Sequence, residues 1–325
     1  MAKQVGMERM MKRWLGALSV ALMGMAAAVL LAPDAALAQT GQPAPWQKGL
    51  QTPVTDIAEQ INWFHDTVNI VICLIAAFVL LLLIIVVVKF NERANPVPSK
   101  TSHNTALEVA WTFIPVLILV GIAIPSFKLL FAQYTYPTPD LTIKATGNQW
   151  NWTHAYPDHM MANNRPVEFV TTMLQDAERE ELIKKGIPAP RLLAVNNEVV
   201  VPVNKNVHVI VTASDVIHNW TVPSFGSKVD AVPGRITATW FRAKREGVFY
   251  GQCSELCGKD HAFMPIAVRV VKESVFNEWI AAMKARDRNK ARSIIEKAAL
   301  EHAGVKAAAA PETTEKVAAA SAAAR

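Results

Sequence analysis

Three long apolar runs occupy the first 130 residues, and nothing like them recurs later in the chain. The first, Trp14 to Ala32, follows Lys3, Arg9, Lys12 and Arg13 and gives way to Ala36, Leu37 and Ala38. A basic start, an apolar stretch and small residues are the pattern of a secretory leader, so residues 1–38 read as a signal peptide cut after Ala38. The run is long for such a leader, and an uncleaved membrane anchor is the alternative. Ile70 to Val88 holds no charged or strongly polar residue, and Val109 to Phe127 holds no charged one. Each is long enough to cross a hydrocarbon layer of about 30 Å, so residues 39–135 predict a short N-terminal segment and two transmembrane helices. Lys89, Arg93 and Lys100 lie between the spans, whereas Asp56, Glu59 and Asp66 precede the first. The positive-inside bias then puts the connecting loop in the cytoplasm and both ends outside. Pro115, Gly121 and Pro125 in the second span are tolerated where neighbouring helices satisfy the freed backbone groups.

From Leu141 the pattern changes to short, valine-rich segments separated by turn residues. Residues 199–203, 207–212, 237–241, 248–250 and 266–271 predict strands, the first an edge strand because of Pro202. Short strands without intervening helices predict an antiparallel β-sandwich or barrel over residues 136–272. An insertion at about 157–197 interrupts it, with a short surface helix over Met173 to Lys185. After Glu273, the stripe Val275, Phe276, Trp279, Ile280 and Met283 predicts a C-terminal helix that docks on the domain. The alanine-rich end of the 273–325 region predicts a mobile tail.

A net charge of +6 would suit a nucleic-acid partner if it were concentrated on one face. It is not: residues 140–271 carry 14 basic and 13 acidic side chains, and the surplus sits in the leader and the tail. Nucleic acid is therefore excluded as a partner. The chain also has no Cys-x-x-Cys-His haem attachment motif and no phosphate-binding glycine loop.

The candidate chemistry lies in Tyr250 to Met264 (YGQCSELCGKDHAFM), with His218 upstream. Cys253, Cys257 and His261 follow at four-residue steps and Met264 three further on, so one tight loop between two strands can aim all four at a common point. Imidazole, thiolate and a weak thioether together are the ligand chemistry of copper electron-transfer sites. Two thiolates can each bridge two ions, with one histidine per ion. A disulfide between the two cysteines and a single zinc are the competing readings. The disulfide leaves His261, Met264 and Glu255 without a task, and tetrahedral zinc leaves Met264 idle.

Four segments resemble subunit II of the haem-copper cytochrome c oxidases, in its bacterial, CuA-containing form. They are Leu107 to Pro115 (LEVAWTFIP), Gly147 to Trp152 (GNQWNW), Asp215 to Arg235 (DVIHNWTVPSFGSKVDAVPGR) and Cys253 to Pro265 (CSELCGKDHAFMP). The resemblance implies a membrane-anchored, cupredoxin-like domain on the periplasmic side of the bacterial inner membrane. It also implies a dinuclear copper centre held by His218, Cys253, Cys257, His261, Met264 and the backbone carbonyl of Glu255. The Glu255 carboxylate is then directed at a magnesium or manganese ion shared with the catalytic subunit I. Trp150 is similar to the residue through which reduced cytochrome c delivers electrons; from chemistry alone, Trp152 beside it is equally placed. Asn151 stands where the family often has tyrosine. Glu108 resembles the mouth of a proton channel of the neighbouring subunit, or it is an acid that favours a helix N-terminus. Asp215 and Asp230 could meet lysines of a basic cytochrome c. The function implied is one-electron transfer from cytochrome c to haem in the catalytic subunit, for oxygen reduction coupled to proton translocation. The rivals are a copper-free quinol-oxidase-type subunit and a membrane-tethered copper-delivery protein.

Overall fold

The computed structural model describes residues 41–44 and 46–303. The expected signal peptide, its cut after Ala38 and the alanine-rich tail lie outside the described residues.

Helix α1 (Asp56–Lys89) and helix α2 (Thr105–Tyr134) form the hairpin, and both are longer than the apolar runs inside them. The extra length of α1 is at its start, where Thr55 caps the helix by accepting from the Ala58 N–H and its hydroxyl donates to the Phe225 carbonyl at 2.8 Å. That first turn buries Ile57 and Ala58 against the β-domain, and Lys244 and Arg242 clasp Asp56 at 2.6 and 2.8 Å. Helix α2 is tied at its end, where Trp240 Nε1 donates to the Gln133 carbonyl and Tyr136 Oη to the Ala238 carbonyl. Over the membrane-length stretch neither helix is buried, as side chains facing lipid require. Pro115 and Pro125 are both accommodated within α2.

Ten strands follow: β1 (Leu141–Asn148), β2 (Asn151–Met160), β3 (Pro166–Thr171), β4 (Val199–Pro202), β5 (Val207–Ala213), β6 (His218–Val222), β7 (Ser227–Ala231), β8 (Thr237–Phe241), β9 (Gly247–Gln252) and β10 (Pro265–Val271). They make a five-stranded sheet in the order β3-β2-β1-β5-β8, a three-stranded sheet β4-β10-β9 and the ribbon β6-β7. β1 and β5 bury every second residue, so Ile143, Ala145, Val209 and Val211 line one side of the core. β10 is buried throughout because the core covers one face and the segment before β4 the other, with Ala267 against Val195 and Arg269 on Glu198.

The hairpin followed by a β-sandwich is as expected, but the strands are not all antiparallel. β1 runs parallel to β5, and β4 parallel to β10. A tight hairpin forces neighbours to run in opposite directions, whereas these pairs are joined by long crossovers that leave the direction free. Pro202 does sit in an edge strand, β4, pairing with Val271 at its end. The region 157–197 holds more sheet than its texture announced: β2 continues to Met160 and β3 pairs with it, before helix α3 (Asp176–Lys184).

Helix α4 (Glu273–Lys284) buries Phe276, Trp279 and Ile280, with Trp279 edge-on to Tyr156 at 5.4 Å. A further helix, α5 (Arg288–His302), was not anticipated, although Asp287 caps it by accepting from the Lys290 N–H. Beneath these helices Arg269, almost wholly buried, pairs with both carboxylate oxygens of Glu198.

His154 on β2 is fully buried and satisfied at both ring nitrogens. Its Nδ1 meets Thr171 Oγ1 at 2.9 Å, and Trp220 Nε1 donates to its Nε2 at 3.4 Å. Burial drives its pKa from 6.5 down to about 3. The unfolded chain therefore takes a proton on His154 near 6.5 that the folded chain refuses until about 3. The stability this group contributes is full above about 6.5 and lost as pH falls towards 3, at about 1.4 kcal/mol per pH unit. The denaturation midpoint of the detergent-solubilised chain is expected to drop between pH 7 and 5, and less steeply in His154→Gln. Equal slopes in the two proteins would refute this.

Candidate metal centre

β9 ends at Gln252 and β10 begins at Pro265, and these two residues are directly paired across the sheet. Residues 253–264 are thus a loop closed at its base by a fixed ladder. β9 lies so near β6 that a side-chain carbon on Gly251 would collide with the Thr221 carbonyl oxygen. His218, the first residue of β6, is thereby set beside the loop, and Ser254 N–H donates to the Asn219 carbonyl at 3.3 Å. A backbone ladder and a close strand contact, rather than the ligand residues themselves, bring the two stretches together.

The ligand atoms of His218, Cys253 and Cys257 lie within 4.8 Å of one another, and all three residues are buried. The sulfurs are 3.9 Å apart and unbonded. Cys253 Sγ is 3.9 Å from His218 Nδ1 and 3.3 Å from the Glu255 carbonyl oxygen. Cys257 Sγ is 3.5 Å from His261 Nδ1 and 3.6 Å from Met264 Sδ. The expected donors therefore form two sets, each centred on one sulfur: His218 and the Glu255 carbonyl on Cys253, His261 and Met264 on Cys257. Metal–thiolate bonds are about 2.3 Å, so sulfurs closer than roughly 4.6 Å can share one ion. The separation of 3.9 Å meets that condition.

Burial pushes both thiols up. At Cys253 contacts with His218 and with the Asn219 and Glu255 backbone outweigh burial and hold the thiol below its ordinary range. At Cys257 burial is joined by repulsion from Cys253, and the thiol stays well above it. The pair thus favours one negative charge, and a cation between the sulfurs would stabilise the second.

The other expected residues fall in different places. Trp152 is fully buried; its ring meets His218 edge-on at 6.0 Å, and its Nε1 donates to the Met264 carbonyl at 3.2 Å. Trp150 is only half-buried, its Nε1 donating to the Cys257 carbonyl at 3.2 Å, with Lys259 Nζ 5.6 Å from the ring centre. Asn151 accepts from Asn148 Nδ2. The Glu255 side chain is exposed. Asp215 Oδ1 is 2.8 Å from His218 Nε2, so this acid belongs to the centre as well as to the surface. Burial works against its charge, but the His218, Val216 and Gln149 hydrogen bonds prevail and hold its pKa low. Asp230 accepts from Asn219 Nδ2 at 2.7 Å. Glu108 is in the first turn of α2, roughly 38 Å along the axis from Gln133 at the domain end.

The family described as "Cytochrome C oxidase subunit II, periplasmic domain" matches residues 141–271, and the one described as "Cytochrome C oxidase subunit II, transmembrane domain" matches residues 43–129. The chain belongs to the cytochrome c oxidase subunit II family. It is 48% identical over 241 residues to a probable cytochrome c oxidase subunit 2 of Rickettsia bellii, covering 74% of this chain and 86% of that one. It is 44% identical over 266 residues to cytochrome c oxidase subunit 2 of Cereibacter sphaeroides, covering 78% and 88%. Among solved structures, the periplasmic domain of subunit II of the Bradyrhizobium japonicum cytochrome oxidase is 53% identical. It covers 47% of this chain and 99% of its own, with a TM-score of 0.41.

Within this subunit II chain, several supporting residues escaped the reading by motif. Gln149 Nε2 donates to the Cys257 carbonyl at 2.9 Å, alongside the Trp150 indole. Gly258, at φ +121°, lets the loop turn beneath that indole, and a Cβ there would lie 2.8 Å from Trp150 Cζ2. Its place directly after the second cysteine was the available signal. Gly258→Ala is expected to cost about 1–3 kcal/mol through the unfavourable backbone conformation and to displace the Trp150 ring. A lowered melting midpoint with shifted tryptophan fluorescence would verify it; an unchanged midpoint would contradict it.

Proposed function

We propose that this subunit accepts electrons singly from reduced cytochrome c at a dinuclear CuA centre and passes them to haem in the catalytic subunit I. Oxygen reduction to water and proton translocation belong to the assembled complex. The observation that carries this reading is the pair of unbonded sulfurs at 3.9 Å, each with its own imidazole and its own weak donor. His218, Cys253, Cys257, His261, Met264 and the Glu255 carbonyl would hold the copper ions, which when bound supply reversible one-electron redox chemistry. The polypeptide's task is to hold six donors in one geometry and keep water from them. His218, both cysteines and Met264 are buried accordingly.

Trp150, half-exposed and hydrogen-bonded to a ligand cysteine, is positioned to face an incoming haem edge. Val216, Ile217, Leu256 and Phe263 form an exposed apolar rim on the two ligand-bearing segments, with Leu256 78% exposed. Such a rim suits burial against partners. Asp215 and Asp230 supply negative charge for a basic donor. The exposed Glu255 carboxylate is free to reach a magnesium or manganese ion shared with subunit I, since a hard oxygen ligand prefers a hard ion. Glu255→Gln is expected to lower bound manganese in the complex while the copper spectrum stays; unchanged manganese would reject that assignment.

On this reading residues 1–38 are a cleaved leader, 39–135 the membrane anchor, 136–272 the CuA domain in the periplasm of a bacterium, and 273–325 an appendage. Glu108, at the far end of α2, then opens a proton path on the cytoplasmic side. Metal analysis of the purified complex tests the whole. Two coppers per chain with an electron spin signal shared over both ions support it. One zinc or no metal overturns it, and copper that exchanges readily with a chelator favours the delivery protein instead.

A further inference from the structure

The Asp215 carboxylate is tied into the centre in a way that surface charge alone does not require. Its Oδ1 accepts from the Val216 N–H at 2.6 Å and contacts His218 Nε2 at 2.8 Å, and its Oδ2 accepts from the Gln149 N–H at 2.7 Å. An ionised carboxylate can only accept, so Nε2 must carry the imidazole proton. In the neutral imidazole Nδ1 then has its lone pair free, on the side of the ring facing Cys253 Sγ. The ring has little room to turn otherwise. A Cβ on Gly147 would lie 2.8 Å from His218 Cδ2, and Trp152 packs edge-on against the imidazole. The other carboxylate oxygen holds the backbone at Gln149, next to Trp150, and both of those side chains donate to the Cys257 carbonyl. One carboxylate thus joins His218 to the corner that carries the half-exposed Trp150.

We propose that Asp215 is a positioning residue: it fixes the His218 tautomer and ring orientation for metal binding and locks the Gln149–Trp150 corner to the same loop. This rests on the copper reading of the site and gives Asp215 a task distinct from attracting a basic donor. Carboxylate partners of metal-bound histidines fix the tautomer in this way, and their loss typically costs about 10–100-fold in affinity or activity.

The test compares Asp215→Asn with Asp215→Ala in the assembled, detergent-solubilised oxidase. Both remove the charge, but asparagine keeps an oxygen where Oδ1 accepts from His218 and Val216, and loses only the Gln149 contact. The expected results are a near-native histidine nitrogen hyperfine pattern in the copper spin signal for Asp215→Asn and an altered one for Asp215→Ala. The maximal rate of cytochrome c oxidation is expected to fall about tenfold or more in Asp215→Ala and much less in Asp215→Asn. Both variants share the rise in KM at low ionic strength that follows from the lost charge. Identical hyperfine patterns and maximal rates in the two variants would overturn the proposal and leave Asp215 as a docking charge. Nitrogen NMR of histidine-labelled, copper-free wild-type chain adds an arm that needs no variant to fold. His218 carrying a proton at Nε2 supports the proposal, and protonation at Nδ1 alone overturns it. If the parent complex holds no copper, the functional reading fails, and the tautomer measurement still decides whether Asp215 sets the ring.

Discussion

Cys257→Ser is expected to leave a folded, membrane-inserted chain that retains no copper and oxidises cytochrome c at background rate. Cys257 Sγ is the hub of the donor set, 3.9 Å from the other sulfur, 3.5 Å from His261 Nδ1 and 3.6 Å from Met264 Sδ. A serine hydroxyl occupies nearly the same space, so packing changes little. It is, however, a hard donor that stays protonated at neutral pH, where the site calls for a soft thiolate. Partners outside the ligand shell alone are worth about 10–100-fold in affinity, so loss of a sulfur that would hold the copper should exceed about 100-fold. Copper quantified per haem in the purified complex is the measurement. Two coppers with an unaltered spin signal in Cys257→Ser would show that this sulfur is not a ligand.

Trp150→Ala should produce the opposite pattern, with copper retained and donor oxidation severely slowed. The indole meets the site through its hydrogen bond to the Cys257 carbonyl and by packing over Gly258, and it is half-exposed. As a central aromatic contact its truncation would cost about 2 kcal/mol of docking, or roughly 30-fold in affinity. Loss of the aromatic path to Cys257 should also lower the transfer rate once the donor is docked. Trp152→Ala provides the contrast: its ring is fully buried, and truncation there should cost about 3–5 kcal/mol of folding stability. Stopped-flow oxidation of reduced cytochrome c, with the copper spectrum as control, separates the two. Native kinetics in Trp150→Ala would move the site of electron intake elsewhere.

These two tryptophans show where a reading by pattern runs out. They are two residues apart, Trp150 in the two-residue connection between β1 and β2 and Trp152 the second residue of β2, and each is an aromatic group with one donor. Only the register of β2, which turns Trp152 inward and leaves Trp150 in the turn before the strand, tells them apart. The same limit applies to Asp215. In sequence it is an acid three positions before His218, equally consistent with surface charge. Its contact with Nε2 depends on the turn that precedes β6. Helix α5 was missed because Arg288 to His302 is polar and buries mainly alanines, Ala291, Ala298 and Ala299, which form no apolar stripe. The parallel pairings were missed because periodicity assigns residues to a face of a strand without saying which strand lies alongside.

What the order of residues decided by itself is whatever depends on local composition and spacing. The membrane spans need only length and the absence of charge, and the ligand set needs only soft donors at short intervals between two strands. The tertiary structure decided everything that depends on distance between remote segments. It brought His218 to within 3.9 Å of Cys253 across 35 positions, placed Asp215 behind that imidazole, and put one tryptophan at the surface and the other in the core. The physical reason is that a loop's own residues can shape its turn, but only the strand ladders beneath it and the packing of β6 on β9 determine what it meets.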